Sequence, residues 1–271
     1  MSEENKIRDA ADAVKGIVEA VPIYQDALQP AAKEIGKGLE TIAKTIHIVL
    51  APIAAFVWGY DEIRNFVTTR VAEKLKAIPQ ERIKTPNPTV AGPALEALRY
   101  TGHEETLREL YANLLATSID SETAASAHPA FVDMIKNMAP DEAKIMRFFA
   151  TTGAQPVVDL KVTLKDGGGF VILHRNVSLI GVQAGCQHPV FCPNYLDNLS
   201  RLGLVEVPYG YHLKDEKSYE PIETNAEVLK IKEQVKDHGV FGIDRKKIEV
   251  TNLGRQFITA CVIDKAIQTK T

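Results

Sequence analysis

The residues of this chain whose types could do chemistry fall into three small groups. Cys186, His188 and Cys192 lie within the seven residues CQHPVFC, and two thiolates with an imidazole are zinc-type ligands. No fourth ligand accompanies them, and the spacing matches no common pair of knuckles, so a metal is not expected. His103 with Glu104 and Glu105, and His128 near Asp120 and Glu122, join imidazole to carboxylate as acid–base catalysis requires. Both places also read as a solvated helix start or cap, which explains them without chemistry. Gly167 to Gly169 lack the GK[ST] ending of a phosphate loop and read as a hairpin turn. With no nucleophile elbow, HExxH or paired-aspartate signature, neither catalytic residues nor a cofactor are expected, and the chain reads as non-enzymatic.

The elements that carry these residues are mainly helical. Residues 1–78 have a helical pattern broken at Pro22 and Pro30, closing with Ile63, Phe66, Val67, Val71 and Leu75. The segment IPQERIKTPNPTVAGP has four prolines in 16 residues, so extended backbone and a linker are expected over 79–93. Residues 94–138 form a central helical block. In it Leu107, Leu110, Tyr111, Leu114 and Ser118 share one face, and Phe131, Met134, Ile135 and Met138 another. From Pro140 the pattern becomes helix, strand, helix, helix, strand, then strand and helix. That is the order of a winged-helix domain, here spanning 139–271 and enlarged by a charged helix between Glu223 and Asp237. The fold class expected is therefore mainly α, with helical N-terminal and central regions and a C-terminal α+β winged-helix-like domain.

One stretch differs from all others. Thr45 to Tyr60, TIHIVLAPIAAFVWGY, is 16 residues without a charge in a chain that is 25% charged. Leading into it, Ile35, Leu39, Ile42, Ile46, Val49, Ile53, Phe56 and Tyr60 repeat in steps of four and three, the seam of a packed helix pair. Before Thr45 the other faces are polar; beyond it they become apolar too, which demands burial in protein or lipid. Pro52 should kink the helix. At about 24 Å of helical rise the run falls short of the roughly 20 residues a spanning helix needs. Two environments satisfy it: an oligomer seam or core, and a membrane entered or lined by the helix tip. The contact surface expected is Ile46, Val49, Ile53, Phe56, Val57 and Trp58.

Charge and composition limit the partners. A net charge of −3 and a pI of about 6.2 give no global attraction to nucleic acid or anionic lipid. The candidate recognition helix, Pro193 to Leu202, offers one arginine against one aspartate, and Lys214 to Glu249 carries eight basic and nine acidic residues. Nucleic acid is therefore not an expected partner, and a winged helix here suits protein contacts. Three cysteines and an acidic, helical start without an apolar signal core point to the cytoplasm, with the inner face of the membrane as a second station.

The block from Pro93 to Met146, PALEALRYTGHEETLRELYANLLATSIDSETAASAHPAFVDMIKNMAPDEAKIM, closely resembles the abortive infection alpha (Abi-alpha) family of bacterial proteins. The resemblance extends to AKTIHIVLAPIAAFVWGYDEI, LSRLGLVEV and VTNLGRQFITAC, and so to most of the chain beyond about residue 30. It implies a role in defence against bacteriophage, in which an infected cell stops growing or dies before the phage multiplies. It supplies no catalytic residues. Two mechanisms fit: a membrane-acting effector that assembles through the apolar helix, and a soluble homo-oligomer whose C-terminal domain senses a phage or host protein.

Overall fold

The computed structural model describes residues 57–76, 78–165 and 168–265. Those from Gly59 onward form one unit. Its first helix, α1 (Tyr60–Phe66), continues through one π-helical turn, Val67–Val71, into α2 (Ala72–Leu75). Thr68 and Thr69 lie at this turn, and their hydroxyls donate back to the carbonyls of Arg64 and Asn65. Such back-bonding competes with the regular ladder and loosens it. Phe66 and Val71 are buried as their spacing requires, while Ile63, Val67 and Leu75 are half-buried.

The proline-rich segment is extended only in part: Ile83 makes an isolated β-bridge with Asp120 and no helix forms over residues 84–87, while both ends turn. Gln80–Arg82 make one 3-10 turn, and helix α3 (Pro88–Thr101) begins inside the segment. Asn87 caps it by accepting from the Thr89 N–H, and Pro88 stands at the first helical position, where a missing N–H costs nothing.

Helix α4 (Glu105–Ile119) is the centre of the helical half, with ten residues buried. Leu107, Leu110, Tyr111, Leu114 and Ser118 are all buried, so the expected face is inward. Each buried leucine contributes about 1.5–3 kcal/mol. Helix α5 (Ala130–Lys136) lies across α4, where the Tyr111 hydroxyl donates to the Val132 carbonyl. Phe131 meets Phe257 edge to face at 5.3 Å. Helix α6 (Pro140–Phe149) completes this layer.

A four-stranded antiparallel sheet follows, in the order β2-β1-β4-β3. The strands are β1 (Gln155–Leu164), β2 (Phe170–Val177), β3 (Val205–Glu206) and β4 (Gly239–Val250). Between β2 and β3 stand α7 (Ile180–Gln183) and α8 (Cys192–Arg201), and α8 ends at Gly203 in the left-handed region, φ +73°. Between β3 and β4 stand α9 (Glu220–Glu223) and α10 (Ala226–Val235), the charged helix expected from the sequence.

β1 pairs with β4 in unbroken register from Gln155↔Ile248 to Leu164↔Gly239. Alternation therefore gives the sheet two faces of different character. Val158 and Leu160 pack with Tyr219, Ile222 and Val228 of the insertion, with Phe241 and Ile243 against them. The other face buries Val157 and Ile248 at one end and carries ion pairs further along, with Asp159–Lys246 at 2.6 Å and Lys161–Asp244 at 2.6 Å. Tyr219 fastens the insertion: its hydroxyl donates to the Lys246 carbonyl and accepts from the Leu213 N–H, both at 2.8 Å. Arg245 lies 5.3 Å over its ring and pairs with Glu223. Edge strand β2 has no clean alternation, FVILHRNV, and escapes a sequence reading for that reason.

After β4 comes α11 (Asn252–Phe257), capped by the Thr251 hydroxyl and continued by a π-helical turn, Ile258–Val262. Its close contact with β3 depends on Gly254, where a Cβ would stand 2.0 Å from the Leu204 carbonyl oxygen. The two ends of the helical half are joined by Asp120, fully buried, which accepts from Arg82 at 2.6 and 2.9 Å and from Lys265 at 2.9 Å. Burial alone would raise the pKa of Asp120; the bonds from Arg82 and Lys265 outweigh it and hold the carboxyl below its ordinary range.

Two stability measurements check this account. Gly254→Ala forces backbone apart and should cost about 1–3 kcal/mol, read as a lower urea midpoint with unchanged slope. Asp120→Asn leaves the buried Lys265 ammonium without its counter-charge and should cost about 3–5 kcal/mol at pH 7. Because the folded pKa is depressed, the Asp120 contribution is complete above about pH 4, the unfolded value, and fades as pH falls below it. The wild type should therefore lose stability below pH 4 more steeply than Asp120→Asn. Parallel pH profiles for the two would refute the role given to this carboxylate.

Candidate functional site

A polar stripe runs along α4 through an otherwise apolar helix. Glu105, Glu109, Asn113 and Thr117 recur every four residues and so share one face. At the inner end the Thr117 hydroxyl donates to the Ala260 carbonyl at 3.0 Å, and the Asn113 amide donates to the Cys261 carbonyl at 2.9 Å. Further out, Arg70 grips Glu109 with two bonds of 2.7 and 2.9 Å. Lys74, with 1% of its side chain exposed, reaches Glu109 at 3.1 Å and Asp264 at 2.9 Å. Burial works to raise the pKa of Glu109, but the bonds from Arg70 and Lys74 prevail and keep it ionised below its ordinary value.

Outside this ionic stack lies a half-open cleft of about 640 Å³. Arg70, Glu105, Glu109, Asn113, Arg147 and Asp264 are among its walls. Asn113 is 3% exposed, and its Oδ1 has no hydrogen-bond partner. The cleft thus presents carboxylates, guanidinium groups and an amide. These suit recognition of a polar molecule, and no histidine or cysteine is among its described walls. The stripe of four polar residues at helical spacing was the sequence signal for this site. It is outweighed in a reading of the apolar face, which seeks burial.

The groups singled out for chemistry are placed elsewhere. Asp141, in the first turn of α6, accepts from the N–H groups of Gln187 and His188 at 2.8 and 2.9 Å, and from Lys144. This carboxylate anchors the loop that carries Cys186 and His188. Cys192 is buried beside Ser178, and Cys261 is buried in the final turn. Among the described residues, no cluster of His, Cys, Asp and Glu could hold a metal ion. Burial, aided by Asp141, pushes the Cys186 thiol up to about 11, and burial alone raises Cys261. His103 faces Glu104 at 3.7 Å, and His128 Nδ1 accepts from the Ala130 N–H at the start of α5. Asp120 is committed to Arg82 and Lys265 and does not join His128. Gly167 lies outside the described residues.

Of the expected apolar surface, Ile46, Val49, Ile53 and Phe56 lie outside the described residues, while Val57 and Trp58 are half-buried. Among the described residues, no helix is long and apolar enough to cross a membrane. In the candidate recognition helix, now α8, Tyr195, Asp197 and Asn198 are bonded to neighbouring elements, while Asn194, Ser200 and Arg201 are exposed. Asn198 donates to the Glu142 carboxylate and to the Asn137 carbonyl, Tyr195 to Asp141, and Asp197 accepts from Asn176.

The thiol environment has a direct check. At pH 8 the native Cys186 should react with a disulfide reagent on the order of a hundredfold slower than in unfolded chain, since thiolate is the nucleophile. All three thiols should titrate rapidly in denaturant, and a fast native thiol would contradict the environment described.

Comparison with known proteins adds the family. A structure titled as the uncharacterized protein from the hydrocarbon-degrading marine bacterium Alcanivorax borkumensis SK2 is similar at 22% identity and a TM-score of 0.36. It covers 52% of this chain and 94% of that one. No curated protein matches the chain. The family model for abortive infection alpha matches residues 59–261, well over half of the chain. This chain therefore belongs to the abortive infection alpha family.

Proposed function

We propose that this chain is a non-enzymatic anti-phage protein that acts by self-assembly and by association with the membrane through Thr45–Tyr60. The observation that carries the reading is the uncharged run of 16 residues in a chain of an abortive infection family. A run of that length carries apolar surface that must be covered, and in lipid it crosses only with bilayer thinning or with partners. Val49 and Ile53 stand on its seam, and Trp58 and Tyr60 stand where interfacial aromatics belong, next to Asp61 and Glu62. The working location is the cytoplasm, against the inner face of the membrane.

The C-terminal part is read as winged-helix-like. Its helix α6, strand β1, helices α7 and α8, and strands β3 and β4 follow that order, with β4 between β1 and β3. The reading as a protein-contact module draws on α8, where Tyr195, Asp197 and Asn198 are bonded within the fold and Arg201 is the one basic residue, which leaves no basic face for phosphates. A second mechanism, a soluble oligomer whose winged-helix-like part binds a phage or host protein, is favoured by Val190 and Phe191. These stand 78% and 52% exposed immediately before α8. Exposed apolar side chains gathered beside a helix are common at protein contacts.

Flotation of purified protein with liposomes, alongside its mass in solution, separates the two. The membrane reading expects the wild type to float and a folded Val49→Lys, Ile53→Lys double variant to remain at the bottom and to lose protection against phage. A defined oligomer that ignores liposomes would overturn it in favour of the soluble sensor.

A further inference from the structure

We propose that the π-helical turn Val67–Val71 is a hinge, on which α1 changes its angle while α2 stays clamped to α4. The hinge is independent of the membrane reading. A π turn interrupts the regular ladder, and helices bend at such interruptions. Here two side chains compete for the same carbonyls. The Thr68 hydroxyl donates to the Arg64 carbonyl at 2.9 Å, and the Thr69 hydroxyl to the Asn65 carbonyl at 2.7 Å. Threonines that bond back in this way weaken and bend the helix that carries them.

The two sides of the turn are held very differently. Toward α2, Val71 and Lys74 are buried, Arg70 grips Glu109, and Lys74 reaches both Glu109 and Asp264. Moving α2 would part a buried charge from its partners, which costs far more than parting exposed ones. Toward α1 only Phe66, next to the turn, is buried among seven helical residues. Asp61, Glu62, Arg64 and Asn65 are exposed. A segment with few buried apolar contacts moves at low cost. The second π turn, Ile258–Val262, is the contrast. Ile258, Ala260, Cys261 and Val262 are buried there, and Thr117 and Asn113 fasten the Ala260 and Cys261 carbonyls. In Val67–Val71 only Val71 is buried. The same backbone geometry is locked in one place and open in the other. The uncharged run ends at Tyr60, the first residue of α1, so the hinge is the joint between that run and the ion-paired base in the chain.

Distances between paired spin labels in frozen solution test the hinge on the full chain, with labelled protein diluted in unlabelled protein. Asn65→Cys on α1 and Ala72→Cys on α2 are each paired with Glu96→Cys on α3; all three positions are exposed. The expected distance distribution is about twice as broad for the α1 pair as for the α2 pair, since hinge motion adds to the motion of the label itself. Thr68→Ala, Thr69→Ala, a double change at exposed positions, should narrow the α1 distribution toward that of α2. Equal widths for the two pairs would overturn the proposal, as would a double variant whose α1 distribution is as broad as before.

Discussion

Helix α11 and its π-helical turn end inside the protein, and much of the helical half follows from what that requires. The last carbonyls of a helix have no partner within it, and in an apolar interior each one must find a donor. Ala260 and Cys261 find theirs in Thr117 and Asn113, which lie far from them in sequence. To supply those donors, α4 must carry polar side chains on the face that meets the C-terminal turn. That face continues outward to Glu109, whose charge sits half-buried and is tolerated through Arg70 and Lys74. Lys74 is itself buried, and Asp264, just past the turn, completes its neutralisation. One backbone requirement thus propagates into an ionic stack and, beyond it, a polar cleft.

The sheet half is solved by different means. β1 and β4 carry Val158, Leu160, Phe241 and Ile243 on one face, and that face must be covered, with no second sheet among the described residues to cover it. The insertion between β3 and β4 does this with Tyr219, Ile222 and Val228. Its two polar ties, the Tyr219 hydroxyl to Lys246 and the Arg245 guanidinium to Glu223, set the insertion in one place. An apolar patch alone would permit it to slide.

Helix periodicity was legible wherever a single apolar face met the core. Leu107, Leu110, Tyr111 and Leu114 are buried as spaced, Phe131 and Ile135 likewise, and the start of α6 at Pro140 follows from proline at the first helical position. Local rules were also enough for Gly203 as the end of α8 and for the charged helix after Asn225. The misses share a cause, which is that the deciding partner is distant. Pro88 by its type suggests extended chain, yet with Asn87 as cap it begins a helix. β2 depends on β1 for its definition, and its sequence alternates poorly by itself. Lys74 and Asn113 look like surface residues until Asp264 and Cys261 are brought beside them. The cleft is therefore marked in the sequence only by the four-residue spacing of Glu105, Glu109, Asn113 and Thr117.

The number of charges this body buries bears on what the cleft can do. Lys74, Asp120, Asp141, Glu142, Asp159 and Lys265 are each nine-tenths or more withdrawn from water. Buried ion pairs add little net stability compared with apolar residues of the same size, since desolvation offsets most of the attraction. They do penalise any arrangement in which the partners separate. A cleft walled by Glu109, Arg70 and Asp264 therefore cannot close by hydrophobic collapse, because closing would strip water from groups already paired to their limit. Nor can it spread apart without breaking the same bonds. Such a site is held ready before anything enters it, which reduces the ordering cost of binding. The polar stripe of α4 thus has one physical consequence at each end: a helix terminus satisfied in the core, and a rigid, solvated recess at the surface.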